Sequence, residues 1–490
     1  MMHPILYLPK NKKPHLMKRR KFLKNVGATS AVFSIVPSYV LGKTHIPPSD
    51  TLYVASFGVG GRGAGVIRGL MQTGKVKMVA LCDVDERQAA QTYKNFPDTK
   101  KYKDFRKVYD KHLKEMDAIM VATPDHTHAT IALPFMREKK HAYVEKPLTH
   151  NIYEARLMTK VAKENGLITQ MGNQGASSHG SRQTKELIQA GVIGTIEKVD
   201  CWTNRPVWPQ GIPIPTEKHE IPKELDWDLW LGPAAVRDFN NAYLPFKWRG
   251  WWDFGTGALG DMGCHIMETP FGVLDLGYPT EAEASCTTNW VGDFIEADYS
   301  ASCPSSSIVR LKFPAPDHGD IALTWYDGGI LPDLPDELKD DETIGSSAGG
   351  TIFHGSKGTL ICDAYSRNPR LLPSEIMGMF NAPAEHLPRI DGGFDGHVKS
   401  WVEACINGTE ASSDFKRSGP LTEAVLMGNL AIKSFQYKEL KSGKKQGDWD
   451  AFNYPGRRKL KWDGENMRIT NYEKANDWVK REYRKGWELE

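Results

Sequence analysis

Gly58-Val-Gly60-Gly61-Arg62-Gly63 follows an apolar run, Thr51–Phe57, and precedes a stretch of helical pattern through Leu70. A second apolar run, Val76–Leu81, ends in Cys82-Asp83, about 20 residues past the last glycine. Residues of these types in this order can hold a dinucleotide. Gly58 permits a tight turn, Gly60 and Gly61 let the backbone approach a pyrophosphate, and Gly63 allows a helix to lie close on a strand. The phosphates rest on unpaired amides at the helix start, beside Arg62. Asp83 meets the ribose hydroxyls and repels a 2′-phosphate, which favours NAD; Arg62 and Arg87 keep NADP open. A second pair with chemical potential is Asp261 and His265, in Gly260-Asp-Met-Gly-Cys-His265. On a helix this spacing puts both side chains on one face. They can serve as an oriented general base or as two metal ligands, although no third ligand stands out. Taken alone, His265 is more often structural. Pro270 limits any helix beyond them, which places the pair near a helix start.

The elements that must position these groups alternate. Asp117–Ala122 reads as a third strand, ending in Thr123-Pro124-Asp-His126-Thr-His128, with a helix to about Glu138. His141–Val144 reads as a strand ending in Glu145-Lys146-Pro147. A helix over Asn151–Asn165 and a strand over Leu167–Met171 follow, the latter leading to Asn173-Gln174. Alternation of this kind means a doubly wound parallel sheet, in which ligands bind at the C-terminal strand ends, where all these motifs fall. His126 and His128 are cofactor-side candidates or helix-start packing residues. Asn173 and Gln174 can hold the nicotinamide side or satisfy loop backbone.

Thr123-Pro124, Glu145-Lys146-Pro147 and the Asp261/His265 block, at their spacing, resemble the Gfo/Idh/MocA family, which contains glucose–fructose oxidoreductase and inositol dehydrogenase. The resemblance runs from about Leu52 to the C-terminus. It implies an N-terminal Rossmann domain (50–172) and a C-terminal α/β domain (173–490). The second domain is built on a large open mixed, mostly antiparallel sheet that carries a homo-oligomer interface. It implies that Lys146 lies beside substrate and nicotinamide. Hydride transfer from a carbinol also requires loss of the hydroxyl proton. His265 suits that task as a base with a pKa near working pH, and Lys146 suits polarising the carbonyl if burial lowers its pKa. Asp261 then orients His265 or binds a neighbouring hydroxyl. The family reading needs no metal.

Seven of the 14 tryptophans lie between Cys201 and Asp253, and sugar faces stack on such rings. Trp227 and Trp230 read as core. Trp208, Trp251 and Trp252, in Gly- and Pro-rich loops, read as pocket candidates, with His179, Arg182 and Tyr243 as further sugar contacts. Asp327–Gly350 reads as a long loop or lid, His397–Ile406 and Leu421–Phe435 as helices, and Glu473–Tyr483 as a closing amphipathic helix.

A hydrophobic fraction of 40% and a charged fraction of 25% are those of a globular protein. Residues 1–42 hold eight Lys and Arg and no acid; taking these from the formal charge of +3 leaves −5 on the rest. That excludes the basic stripe of a nucleic-acid binder. The scattered cysteines form no C-x-x-C pair, and no disulfide is expected. Lys18-Arg19-Arg20-Lys21-Phe22-Leu23-Lys24, before a weakly apolar run to Leu41, reads as a twin-arginine signal over 1–42, with no membrane anchor and a periplasmic destination. Outside the cytoplasm NAD is not recycled from a pool, so a tightly bound cofactor is expected. The leading reading is an NAD(P)-dependent oxidoreductase acting on a ring CH–OH of a sugar or glycoside. The alternative is an NAD-dependent glycosidase working by oxidation, elimination, water addition and re-reduction. A non-catalytic binding module is the third.

Overall fold

The computed structural model describes residues 50–315, 318–379 and 383–489. The twin-arginine reading of residues 1–42 lies outside the described residues. Residues 49–490 form one compact unit.

Six strands build the first sheet: β1 (Leu52–Phe57), β2 (Val76–Cys82), β3 (Lys100–Tyr102), β4 (Ala118–Val121), β5 (His141–Val144) and β6 (Thr169–Met171). Their order is β3-β2-β1-β4-β5-β6, and every pair is parallel. Helices α1 (Gly61–Gln72), α2 (Glu86–Asn95), α3 (Phe105–His112), α4 (His128–Arg137) and α5 (Ile152–Glu164) make the crossovers. Both sheet faces are covered, so β1 and β4 are apolar runs without alternation. Phe57 and Val121 face one core, and Val54 and Met120 the other. The chain reverses direction across the sheet between β1 and β4, the switch point where ligands bind in such sheets. The sequence reading missed β3, whose three residues are exposed or half-buried and carry no apolar pattern.

The second part opens with α6 (His179–Gln189), β7 (Ile196–Thr203), α7 (Trp227–Leu231), α8 (Gly257–Ile266) and α9 (Glu268–Leu274). Then come β8 (Glu281–Cys286), the small ladder β9 (Trp290–Gly292) and β10 (Ile295–Glu296), β11 (Ser307–Ala315) and β12 (Gly319–Tyr326). β13 (Gly349–Gly355), β14 (Gly358–Asp363), β15 (Arg367–Leu372), α10 (Glu375–Met379), α11 (His397–Asn407) and α12 (Phe415–Gln436) follow. The chain then adds the ladder β16 (Glu439–Leu440) and β17 (Phe452–Asn453), with β18 (Leu460–Asp463) and β19 (Arg468–Ile469) joining the main sheet. Nine strands pair in the order β15-β14-β13-β7-β12-β11-β8-β18-β19, and only β7 and β12 are parallel. The sheet is therefore mixed and mostly antiparallel, as the resemblance implied.

Alternation along β11 sends Val309, Leu311 and Phe313 inward, toward α12, while Arg310 and Lys312 face out. Helix α12 packs on α5, α8, β8 and β11 and is buried nearly all round, which makes it the joint between the two parts. It begins at Phe415 rather than near Leu421, with Pro420 inside it. Helix α11 returns onto α1, where a Cβ on Gly69 would stand 3.2 Å from Val398.

The long segment 327–348 is a loop, the first of the two alternatives, and none of its residues lines the cavity described below. Leu338 and Ile344 pack on Trp202, Ile352, Ile361 and Leu372, which cover the outer face of β7 and β13–β15. The amphipathic helix expected over Glu473–Tyr483 is a 3-10 turn over Glu473–Trp478 followed by irregular chain. No helix among the described residues is long and apolar enough to cross a membrane.

Candidate active site

One cavity of about 720 Å³ lies along the C-terminal ends of the parallel strands, with its other wall supplied by the second part of the chain. At one end it is lined by Gly58, Gly60, Gly61, Asp83 and Asp85, and at the other by Lys146, Arg249, His265 and Tyr365.

The glycine turn is shaped by contacts that no side chain could share. Gly58 adopts φ +72°, and a Cβ there would stand 2.6 Å from the carbonyl oxygen of Ala122. A Cβ on Gly63 would stand 1.8 Å from the carbonyl oxygen of Gly58, so α1 can lie this close to β1 only with glycine. Gly63 therefore sits behind the cavity and does not line it. Asp83 ties the turn together. Its Oδ2 accepts from the N–H groups of Val59 (2.8 Å) and Gly60 (3.2 Å), and its Oδ1 from that of Asp85 (3.0 Å). Burial pushes this carboxyl up to about 6, against the pull of those three donors.

Asp85, which the sequence reading did not single out, also faces the cavity and caps α2. Arg87 grips it through two bonds, Nε to Oδ1 at 2.8 Å and Nη2 to Oδ2 at 2.7 Å. Arg62 pairs with Glu145 at 2.7 Å. Both arginines that kept NADP open are thus engaged with carboxylates. The cradle fits a dinucleotide: helix α1 begins at a Gly60 cap with no side-chain bond, and a carboxylate stands at the ribose position.

At the other end Lys146 follows β5. Its Nζ donates to Asp261 Oδ1 at 2.6 Å and to the Asp261 main-chain oxygen at 2.7 Å. Arg249 Nε donates to the same Oδ1 at 3.1 Å. Burial opposes the charge of Asp261, but Lys146 and Arg249 outweigh it and hold the carboxyl well below the usual range. His265 is buried against Tyr365, ring centroids 4.8 Å apart and edge to face. Its Nδ1 is buried with no hydrogen-bond partner. Burial, then the charge of Lys146, push its pKa well below the ordinary 6.5.

This corrects three expectations. His265 is a neutral imidazole, not one titrating near working pH. Asp261 engages Lys146 and Arg249, not His265. Two cations on one carboxylate oxygen also make a poor metal site. Nor is the pair at a helix start. Asp261 is mid-helix and His265 lies in the last turn of α8. Pro270 falls in the first turn of α9, where its missing N–H breaks no bond.

Other candidates divide cleanly. Thr123, Pro124, Glu145 and Gln174 line the cavity. Asn173 does not: it is buried between Glu268 (2.9 Å) and Ser413. His128 is buried with its ring nitrogens at the carbonyls of Pro147 (2.9 Å) and Thr123 (2.8 Å), bracing both motif loops from behind. His126 likewise meets the carbonyls of Phe254 (3.2 Å) and Trp230 (3.0 Å). Burial, then the charge of Arg481, push His126 down to about 3. Between that value and about 6.5 only the unfolded chain takes up this proton, so His126 costs stability as pH falls below about 6.5. His126→Gln is expected to remove about 1.4 kcal/mol per pH unit from the acid slope of the unfolding free energy. Urea titrations at several pH values between about 4.5 and 6.5 check this; parallel slopes would refute it.

The core reading of Trp227 holds, Trp230 is core on one side only, and the three pocket candidates fail. Trp230 and Trp248 line the cavity, whereas Trp208, Trp251 and Trp252 do not. Trp251 is core, its Nε1 donating to Ala242 O (2.9 Å), and Tyr243 packs against it. Trp252 lies under the Lys433 ammonium, 4.8 Å from its ring centre. Trp208 bonds Gln210 (2.8 Å) and meets Phe246 edge-on, behind Arg249. His179 and Arg182 support the cavity indirectly. They hold the carbonyls of Ile390 (2.9 Å) and Pro388 (3.3 Å), in the loop that presents Phe394 to the cavity. Arg249, Tyr365 and Asp125 were missed. Arg249 carried a signal, a lone cation in Trp248-Arg-Gly-Trp-Trp252 ahead of Asp261. Tyr365 carried none: it reaches His265 through left-handed backbone at Tyr365 and Ser366, φ 65° and 57°.

The comparisons name the family models that this fold and site match. Residues 52–173 match the family model described as "Oxidoreductase family, NAD-binding Rossmann fold". Residues 178–280 match its partner, "Oxidoreductase family, C-terminal alpha/beta domain". Residues 52–173 and 178–280 thus match both domain models of the Gfo/Idh/MocA oxidoreductase family. It is 29% identical over 161 residues to a glycosyl hydrolase family 109 protein of Shewanella pealeana, a match covering 28% of this chain and 35% of that one. It is 33% identical over 95 residues to the 2,7-anhydro-N-acetylneuraminate hydratase of Escherichia coli, covering 19% and 25%. These matches thus span about a third or less of the curated relatives. An oxidoreductase domain protein from Kribbella flavida shares the fold with a TM-score of 0.52 at 17% identity, covering 78% of this chain and 97% of that one.

Proposed function

We propose that this protein is an NAD-dependent oxidoreductase acting on a ring CH–OH of a sugar or glycoside. The observation that carries this is the buried Lys146–Asp261 pair beside an unpartnered His265 Nδ1, at one end of a cavity whose other end is a dinucleotide cradle. Bound in that cradle, NAD supplies the hydride acceptor or donor. Lys146 Nζ, positioned by Asp261, donates a hydrogen bond to the substrate oxygen and steadies its charge as the carbonyl forms or is reduced, while the hydroxyl proton goes to or comes from His265. His265, neutral, accepts or returns a proton at Nδ1. Trp230, Trp248, Phe246 and Phe394 wall the cavity with apolar surface suited to a sugar face and exclude water from it.

A second reading is favoured by the first two relatives, which are named for hydrolase and hydratase reactions, both redox-neutral. The substrate carbon is oxidised at C3, the acidified C2 proton is taken by His265, and the C1 group leaves. Water then adds and the ketone is reduced back. We further propose twin-arginine export with the cofactor preloaded. Oligomerisation would use the outer face of β8 and β11, beyond the cluster that 327–348 forms on β7 and β13–β15.

The test is to purify the protein from an export host, denature it, and quantify released nucleotide by mass spectrometry. Near-stoichiometric NAD is expected. A glycoside panel then separates the readings: accumulating keto-sugar means net oxidation, and free sugar without net NADH means the redox-neutral cycle. An enzyme that arrives empty and binds added NAD weakly would refute preloading.

A further inference from the structure

We infer that the segment Arg481–Leu489 builds the adenosine end of the dinucleotide site, with Trp487 as a binding residue for the purine. The inference rests on the reading of the cavity as an NAD site. In sheets of this order the carboxylate after the second strand marks the ribose, and the purine lies beyond it. Here Asp83 and Asp85 line the cavity first, followed by Lys103, Asp104 and Phe105 after β3. The parallel sheet supplies nothing further on that side. The remaining wall comes from elsewhere in the chain, as Leu229 and Trp487.

Trp487 is held firmly in this position. Its ring centre lies 6.1 Å from that of Phe105 and 4.3 Å from the Arg106 guanidinium. A Cβ on Gly232 would come within 3.5 Å of the indole, so the glycine turn after α7 seats its edge. The backbone around it is anchored at several points. Arg484 N–H donates to Pro233 O (3.2 Å), Trp487 N–H closes a turn onto Arg484 O (2.9 Å), and the Arg484 side chain pairs with Asp228 at 2.5 Å. Tyr483 donates to the buried Glu154 (2.8 Å), and Leu489 is buried in the main core. A segment without regular secondary structure is thus pinned across the mouth beside β3, presenting an aromatic residue there. Every nucleobase has a π-face, and stacking on such a residue is sequence-tolerant and favourable.

The experiment compares Trp487→Ala, Trp487→Leu and Trp487→Phe with wild type by calorimetric titration after removal of bound nucleotide. The probes are NAD, ADP-ribose and nicotinamide mononucleotide. The Ala and Leu variants are expected to bind NAD and ADP-ribose about tenfold or more weakly, and Phe to restore binding to within about threefold. Mononucleotide binding is expected to be unchanged throughout. The Leu variant removes less buried volume than the Ala variant, and the Phe variant less still, so the comparison stands if the Ala variant does not fold. Unchanged ADP-ribose binding in folded Leu or Ala variants would overturn the inference. So would equal loss of both half-molecules, which would mean a general disturbance. A wild type that binds neither NAD nor ADP-ribose would instead overturn the NAD reading of the cavity.

Discussion

Lys146→Met is expected to lower turnover by about 10³-fold while leaving the NAD dissociation constant within about threefold of wild type. The side chain reaches two oxygens of Asp261, the carboxylate Oδ1 and the main-chain carbonyl. Its ammonium is fixed at 2.6 Å from Asp261 and so pre-oriented toward substrate. Arg249 remains on Asp261 in the variant, at 3.1 Å, so the carboxylate is not left bare and the fold is expected to survive. The charge of Lys146 is also the second cause, after burial, of the depressed His265 pKa. Removing it raises that pKa, so the acid limb of residual kcat/KM is expected to move to higher pH. That shift reads the field of Lys146 at His265, whereas the loss of turnover with NAD binding retained reads its part in the chemistry. Full turnover by the variant on the true substrate would revive the binding-module reading and remove Lys146 from the chemistry. Steady-state kinetics across pH, with a separate NAD titration, decide it.

Much of the first sheet was legible because its strands are buried on both faces and its turns are chemically constrained. Thr51–Phe57 can only be read as a strand feeding a glycine turn. The real boundaries of β1, β2, β4 and β5 fall within about two residues of those expected. In the second sheet alternation survives in β11 and β12, where Ile308–Phe313 and Ile321–Trp325 read as strands from the sequence alone. β7 and β13 to β15 were not legible, because 327–348 buries their outer face as well and erases the alternation.

At the site the division follows the same physics. Lys146, Asp261 and His265 occur in local motifs. The protonation state of His265 depends on burial by Tyr365, about a hundred residues further along the chain, which no local pattern carries. The tryptophans show the limit of composition. Trp230 sits in a helical Trp-Asp-Leu-Trp-Leu stretch that looks like core, and one side of it is core, packed on Phe254. Its other side lines the cavity. Trp251 sits in a glycine-rich loop and yet is buried to 1% exposure. Loop residence is a guide to backbone, not to where a large side chain finds cover.

Gly63→Ala is expected to destabilise the protein by about 2–4 kcal/mol and weaken NAD binding more than tenfold, the reverse of what helix propensity alone dictates. Within a helix, exchanging glycine for alanine ordinarily stabilises by about 1 kcal/mol, through lost freedom in the unfolded chain. At Gly63 the added Cβ would stand 1.8 Å from the Gly58 carbonyl oxygen and 3.3 Å from Ala122 Cβ. The first of these is backbone, so no rotamer change relieves it. Either α1 moves off β1, or the Gly58 turn shifts and takes with it the amides of Val59 and Gly60 that Asp83 holds. Both outcomes disturb the dinucleotide cradle. Gly65, two residues on in the same helix, has nothing within 4 Å of a built Cβ, and Gly65→Ala is expected to be neutral or stabilising. Thermal unfolding and NAD titration of the two variants side by side separate close packing from helix propensity. If Gly63→Ala matches Gly65→Ala in both, the tight contact between α1 and the glycine turn is not what holds the cradle in place.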